Sequence, residues 1–217
     1  ETKENCEQFL TKLAIDREEQ TSSITLQQRE SKDVYLQKIA QIKRHIQRGD
    51  IYEMNYCQEF FAKEISLNPA AIFQRLNKNT TTPFSSFLKL NHIYAMCASP
   101  ERFIRKLGNQ LISQPIKGTR KRGVDKEQDH ILIKELVNSE KDISENVMIA
   151  DLVRNDLSIT ATQGSVKVTE LCGVYAFEKV HQMITTIASE VDEKVHFSTI
   201  LKSVFPINIY ININRSI

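Results

Sequence analysis

Three short segments of the chain carry residue types that could do chemistry. Ser99-Pro100-Glu101-Arg102 sets a carboxylate directly after a proline turn. A rigidly held carboxyl can deliver a proton, although such a tetrapeptide also serves as a plain surface turn. Pro115-Ile116-Lys117-Gly118-Thr119-Arg120 contains Gly118, whose missing Cβ lets a backbone N–H approach a ligand closely, and the Thr119 hydroxyl beside it. Such donors suit a carboxylate or a phosphate. Lys117 would be the counter-charge to that anion or, with its amine uncharged, a nucleophile. Arg120, Lys121 and Arg122 make the segment basic, so a solvated basic turn is the competing reading. The spacing is not that of a P-loop, because GxxxxGK[ST] is absent. In the third segment Asp142 and Glu145 stand three apart and share one face of a helix. Two carboxylates so placed can bind a hard cation such as Mg²⁺, which completes its shell with substrate and water. An acidic helix start favoured by the macrodipole would look the same. Arg154 reads as the structural ion-pair partner of Asp151 or Asp156. The histidines, His45, His92, His130, His181 and His196, have no ligand-like spacing, and neither a Ser-His-Asp arrangement nor a GxGxxG stretch can be argued.

The elements that must hold these segments follow from periodicity. Val34, Ile39, Ile42 and Ile46 recur at helical spacing before Gly49, which predicts a helix over 33–48. Residues 51–65 are rich in β-branched and aromatic side chains and read as a strand. Pro69 opens a short helix to about residue 77. Strands are expected over 84–90 and 93–98, and again over 103–106 and 110–113 around Gly108-Asn109. Residues 114–123, with Pro115, Gly118 and Gly123, read as a structured loop. Asp125 begins a helical region that breaks near 138–142 and resumes to Leu157. Residues 166–171 and 180–191 read as strands, and 197–204 as a short helix ending before Pro206. Strands with helices inserted, rather than regular βαβ alternation, favour an α+β fold.

Composition narrows the function. Of 217 residues, 41% are hydrophobic and 26% charged, which is globular. Lys plus Arg number 29 against 27 Asp plus Glu, so no global charge draws the chain to nucleic acid or an anionic membrane. No apolar run reaches the roughly 20 residues of a spanning helix. Cys6, Cys57, Cys97 and Cys172 form no CxxC pair, so neither a zinc site nor a disulfide scaffold is suggested, and a cytoplasmic location is expected.

In this order, the segments resemble the chorismate-utilising enzymes. The stretches that carry the resemblance are GDIYEMNYCQEF (49–60), SPERF (99–103), QPIKGTRKRG (114–123), ELVNSEKDISENVMIADLVRNDL (135–157) and KVHQMITTI (179–187), within about residues 33–206. The resemblance implies an α+β fold, an antiparallel β-sandwich with helices packed outside like that of anthranilate synthase component I, here incomplete. It divides the chain into a polar N-terminal segment or linker (1–32), a partial chorismate-binding domain (33–206) and an atypical tail (207–217). The tail, INIYININRSI, nearly alternates Ile with Asn and reads as out-of-frame translation after Pro206.

Within the family, PIKGT is the informative variant. Anthranilate synthases usually have Ala at the position of Lys117, whereas aminodeoxychorismate synthases of the lysine type use that lysine as a covalent nucleophile. The resemblance therefore implies amination of chorismate by ammonia to 4-amino-4-deoxychorismate, in the para-aminobenzoate branch of folate synthesis. The reaction would use Mg²⁺, and a partner glutamine amidotransferase would supply the ammonia. Lys117 matches the nucleophile, and Glu101 the general acid for the departing ring hydroxyl. Gly118 and Thr119 match the loop along the substrate. Glu145 matches a Mg²⁺ ligand, and Asp142 a neighbouring acidic position. Anthranilate synthases carry His, linked to loss of pyruvate, where this chain has Gln182, which fits a product that keeps its enolpyruvyl group. Glu53 stands where many relatives have Gln and is left unassigned. The family also continues beyond the Phe205-Pro206 position into a Gly-rich segment, a substrate-binding Arg and a second Glu ligand, so half a site and an inactive fragment are expected, with exposed apolar patches and self-association. The alternatives are an anthranilate synthase component I and a non-catalytic remnant of the family.

Overall fold

The computed structural model describes residues 24–51, 54–80 and 82–204, with residues 5 and 8 besides. The readings made for Cys6, Glu53 and the 207–217 tail lie outside the described residues. The chain divides into two compact units, one drawn from Glu1–Thr80, Phe87–Met96 and Ile209–Ile217, the other from Thr81–Ser86 and Cys97–Asn208.

In the first unit, β1 (Gln27–Gln28) pairs antiparallel with β2 (Phe60–Phe61). The helix α1 (Lys32–Gln47) starts at Ser31, whose hydroxyl accepts from the Val34 N–H. The helix α2 (Pro69–Thr80) opens on its proline, with the Asn68 carboxamide accepting from the Ala70 and Ala71 N–H groups. The strand expected over 51–65 shrinks to β2. Among its described residues, 54–59 are irregular and held by side chains together with one backbone bond, from the Arg29 N–H to the Glu59 carbonyl at 2.9 Å. Tyr56 donates to the Glu30 carboxylate at 2.6 Å, Gln58 donates to the Glu30 carbonyl at 2.8 Å, and Arg29 pairs with Glu59 at 2.6 Å. β-Branched and aromatic content signals a strand only where a pleated neighbour exists to pack on, and here that neighbour is two residues long.

The strands β3 (Phe84–Leu90) and β4 (Ile93–Ser99) pair with each other and turn at Asn91, which adopts a positive φ of 53°.

The second unit holds the larger sheet: β5 (Arg102–Leu107), β6 (Gln110–Gln114), β7 (Ile116–Lys121), β8 (Lys167–Ala176) and β9 (Val180–Glu190). All its pairings are antiparallel, and β9 is the hub. β6 pairs with the far end of β9 and β7 with the near end, so the two share one edge of β9 while β8 runs along the other. Three helices complete the unit: α3 (Lys126–Val137), α4 (Glu140–Ser158) and α5 (Phe197–Val204). Asp125 and Ser139 cap the first two. Along α4 the buried residues Asn146, Ile149, Ala150, Val153 and Leu157 form one helical stripe. Ile149, Ala150, Val153 and Leu157 pack with Leu111, Ile187, Val191, Ile200 and Val204 into the core. Burying each large aliphatic side chain there stabilises by about 1.5–3 kcal/mol. The α+β class is borne out by antiparallel sheets with helices packed against them. No helix among the described residues is long and apolar enough to cross a membrane.

One expectation is corrected in this unit. Residues 116–121 are a strand rather than a loop. Its Gly and basic residues suggested a turn, but pairing with β9 overrides that local signal, and the glycine is absorbed in a bulge.

Beyond β7, Asp129 ties strand and helix together. Its carboxylate accepts from Arg122 Nη2 at 2.7 Å, from the Gly123 N–H at 2.7 Å, and contacts Nε2 of fully buried His181 at 2.8 Å. Arg122 first, then Gly123 and His181, hold the Asp129 carboxyl well below the usual carboxylate range. A depressed folded-state pKa adds stability above the ordinary aspartate value, and that stability is lost as pH falls toward the depressed one. Asp129→Asn is therefore expected to melt below the parent chain at neutral pH. The two Tm curves should converge on acidification, which thermal melts across a pH series would show.

Candidate active site

The site is assembled from backbone outward. In the β7–β9 ladder Ile116 lies opposite Ile184 and Thr119 opposite Gln182. Two residues, Lys117 and Gly118, thus stand against one, Met183, which is a β-bulge. Gly118 takes φ +94°, a conformation that excludes most side chains, and a Cβ built on it would lie 3.0 Å from Asp142 Cβ, 3.1 Å from Leu136 Cδ1 and 3.3 Å from Met183 Cβ. Glycine at the bulge therefore lets the β7 backbone approach the Leu136 side chain of α3 and Asp142 of α4 with no Cβ of its own between.

Glu101 lies in the turn between β4 and β5. The Ser99 hydroxyl accepts from the Glu101 N–H at 3.2 Å and donates to its carbonyl at 3.1 Å. Glu101 Oε1 in turn accepts from the Ile116 N–H at 2.9 Å. The exposed carboxylate is thus fastened one residue before Lys117. On the other side, buried Asn146 of α4 donates from Nδ2 to the Lys117 carbonyl at 3.2 Å, next in sequence to Glu145. Lys117 and Gly118 are half-buried and Thr119 is exposed. Glu101, Lys117 and Glu145, about 16 and 28 residues apart in sequence, are therefore joined through backbone bonds at neighbouring residues.

The two carboxylates on α4 differ. Asp142 is 14% exposed and pairs with Arg120 Nη2 at 2.8 Å. The Ser139 hydroxyl, then Arg120, lower its carboxyl against the opposing effect of burial. Glu145 is 45% exposed, with Lys141 Nζ 3.8 Å away. Among the described residues no three His, Cys, Asp or Glu side chains gather as a metal-binding group. The donor set still fits a hard cation that takes one or two protein carboxylates and fills its shell with substrate oxygen and water. Glu145 is the carboxylate with room for it, while Asp142 would have to release Arg120. Arg154 pairs with Asp151 at 2.7 Å, one of its two expected partners.

Sequence reasoning missed Asn146. The signal was present: a polar residue in the apolar stripe 146, 149, 150, 153, 157. The Asp129–His181 contact spans 52 residues and leaves no local trace. Gln182, noted for its type alone, is buried on β9, and its Oε1 has no hydrogen-bond partner among the described residues.

The fold is that of known chorismate enzymes. Anthranilate synthase component I from Streptococcus pneumoniae TIGR4 superposes with a TM-score of 0.74 at 21% identity, over 92% of this chain and 45% of that one. The family of chorismate binding enzymes matches residues 1–208, and the chain belongs to it. Aminodeoxychorismate synthase component 1 of Escherichia coli (strain K12) is 39% identical over 176 residues, 81% of this chain and 39% of that protein. Anthranilate synthase component 1 of Thermus thermophilus is 31% identical over 176 residues, 81% of this chain and 38% of its own. The chain thus spans about two-fifths of the length of these curated relatives.

Proposed function

We propose that the chain is part of an aminodeoxychorismate synthase component 1, acting in the cytoplasm to convert chorismate and ammonia to 4-amino-4-deoxychorismate for para-aminobenzoate and folate synthesis. A glutamine amidotransferase partner would deliver the ammonia. The observation that carries this reading is the fastening of the Lys117 strand to Glu101 on one side and to α4 beside Glu145 on the other. The 39% identity to the Escherichia coli aminodeoxychorismate synthase component 1 supports the same branch.

In this reading the Lys117 amine donates its lone pair to a ring carbon of chorismate and forms a C–N bond. The ring double bonds shift, the C–O bond to the ring hydroxyl breaks, and the hydroxyl leaves as water with a proton from Glu101. The new secondary ammonium returns a proton to the Glu101 carboxylate. Ammonia then attacks the carbon that lost the hydroxyl, the double bonds shift back, and the C–N bond to Lys117 breaks as its nitrogen takes a proton from Glu101. The lysine leaves as a neutral amine, while the newly bound ammonium gives its extra proton to the Glu101 carboxylate. Hydroxide is a poor leaving group, so the acid is what makes the first half feasible. Gly118 and Thr119 line the substrate and offer backbone and hydroxyl donors to it. Glu145, with Asp142 as its acidic neighbour, would hold Mg²⁺, which when bound offsets the charge of a substrate carboxylate.

The test is product analysis by mass spectrometry after incubating the chain with chorismate, Mg²⁺ and ammonium. The expected product has the mass of aminodeoxychorismate and is lost in Lys117→Ala. Anthranilate as the product would overturn the assignment.

A further inference from the structure

We propose that Asn146 is a positioning residue for Lys117, acting through a buried polar knot that fixes a bulge in β7 and another in β8 at once. The inference rests on the reading of Lys117 as the group that meets substrate. The Asn146 carboxamide is 1% exposed and uses both its ends. Its Nδ2 donates to the carbonyls of Lys117 on β7, at 3.2 Å, and of Met183 on β9, at 3.1 Å. Its Oδ1 accepts from the Thr185 hydroxyl and from Cys172 Sγ at 3.7 Å. The Thr185 oxygen accepts from the Cys172 N–H at 3.0 Å.

Each of these contacts falls where a ladder is irregular. On β8, Glu170 lies opposite Thr186 and Gly173 opposite Ile184, so Leu171 and Cys172 stand against Thr185 alone. Cys172 has a φ of +54°, which is costly for a side chain other than glycine. Two bulges, on β7 and β8 at opposite edges of β9, thus lie opposite Met183 and Thr185, and one side chain from α4 contacts both. A bulge leaves its extra residue outside the regular ladder, and buried backbone groups need partners. Asn146 supplies one to the Lys117 carbonyl on β7, and Thr185, bonded to Asn146, supplies one to the Cys172 N–H on β8. The Lys117 and Met183 carbonyls, which can only accept, fix the Asn146 Nδ2 toward them and leave its Oδ1 to take the Thr185 hydroxyl proton.

The consequence is directional. In an unbulged strand, residues three apart face opposite sides. Here Ile116 and Thr119 lie opposite Ile184 and Gln182, which are two apart, so both point to the same side. The direction of Lys117 between them is set by the bulge, and the bulge by Asn146. A bulge is a device for re-aiming a side chain.

The experiment is competitive labelling of lysines with acetic anhydride on the intact chain, read by peptide mass spectrometry as Lys117 relative to Lys134. Asn146→Ala and Thr185→Val should raise the Lys117 ratio several-fold while circular dichroism stays that of the parent, and Thr185→Ser, which keeps the hydroxyl, should restore it. Thr185→Val keeps the side-chain volume and decides the matter if Asn146→Ala does not fold. An unchanged Lys117 ratio in folded Thr185→Val overturns the proposal. Failure of parent Lys117 to form an adduct with chorismate would instead overturn the functional reading, and the labelling ratios would still report on the knot.

Discussion

Gly118→Ala is expected to destabilise the second unit by about 2–4 kcal/mol, combining the strain of a left-handed backbone with overpacking against fixed neighbours. The Cβ would meet Asp142 and Met183 at their own Cβ atoms, 3.0 and 3.3 Å away, and Leu136 at 3.1 Å. Two of these contacts are next to backbone, so relief needs movement of α4 or β9 rather than rotation of a side chain. If the backbone instead relaxes to negative φ, the bulge is lost and the register of β7 on β9 shifts by one residue. Either route moves Lys117. Denaturant unfolding of the variant should show the lowered midpoint, while Gly108→Ala, at φ +58° with nothing within 4 Å, carries backbone strain without the overpacking.

Glu101→Gln should leave the fold intact and slow attachment of chorismate to Lys117 by about 10²- to 10⁴-fold, the usual contribution of a positioned acid. The separation of roles follows from the geometry. The carboxylate has a structural bond, accepted from the Ile116 N–H at 2.9 Å, and glutamine keeps an oxygen that can accept it. What glutamine cannot do is give a proton to the leaving hydroxyl. An unchanged Tm with a large loss of rate is therefore the signature of the acid. A large fall in Tm would place the importance of Glu101 in the turn instead. Time-resolved intact mass measurement with chorismate gives the rate, and thermal melting gives the control.

The fold was legible wherever local pattern and tertiary context agree. The 33–48 helix, from Val34, Ile39, Ile42 and Ile46, and the helical start at Asp125 are written in residue types at short spacing. Residues 114–123 read as a loop because glycine and three consecutive basic residues signal a turn locally, whereas the pairing that makes 116–121 a strand comes from residues 180–184, about 60 positions on. The 51–65 segment failed in the opposite direction: strand-like side chains without a long partner remain irregular. Site residues were legible as types, because a carboxylate after proline and a lysine before glycine can be named without a structure. The ties between their segments were not, because they run through the bonds from the Ile116 N–H to the Glu101 carboxylate and from the Asn146 carboxamide to the Lys117 carbonyl. Likewise Asp142 offered itself as a cation ligand by spacing, and only its 2.8 Å contact shows that Arg120 occupies it.

The role of Lys117 as nucleophile is tested most directly by incubating the chain with chorismate and Mg²⁺ in the absence of ammonia, then mapping the adduct by peptide mass spectrometry. The expected result is a mass increase equal to chorismate less water, located on Lys117 and discharged when ammonium is added. An unmodified Lys117, or an adduct on another lysine that persists in Lys117→Ala, would contradict it.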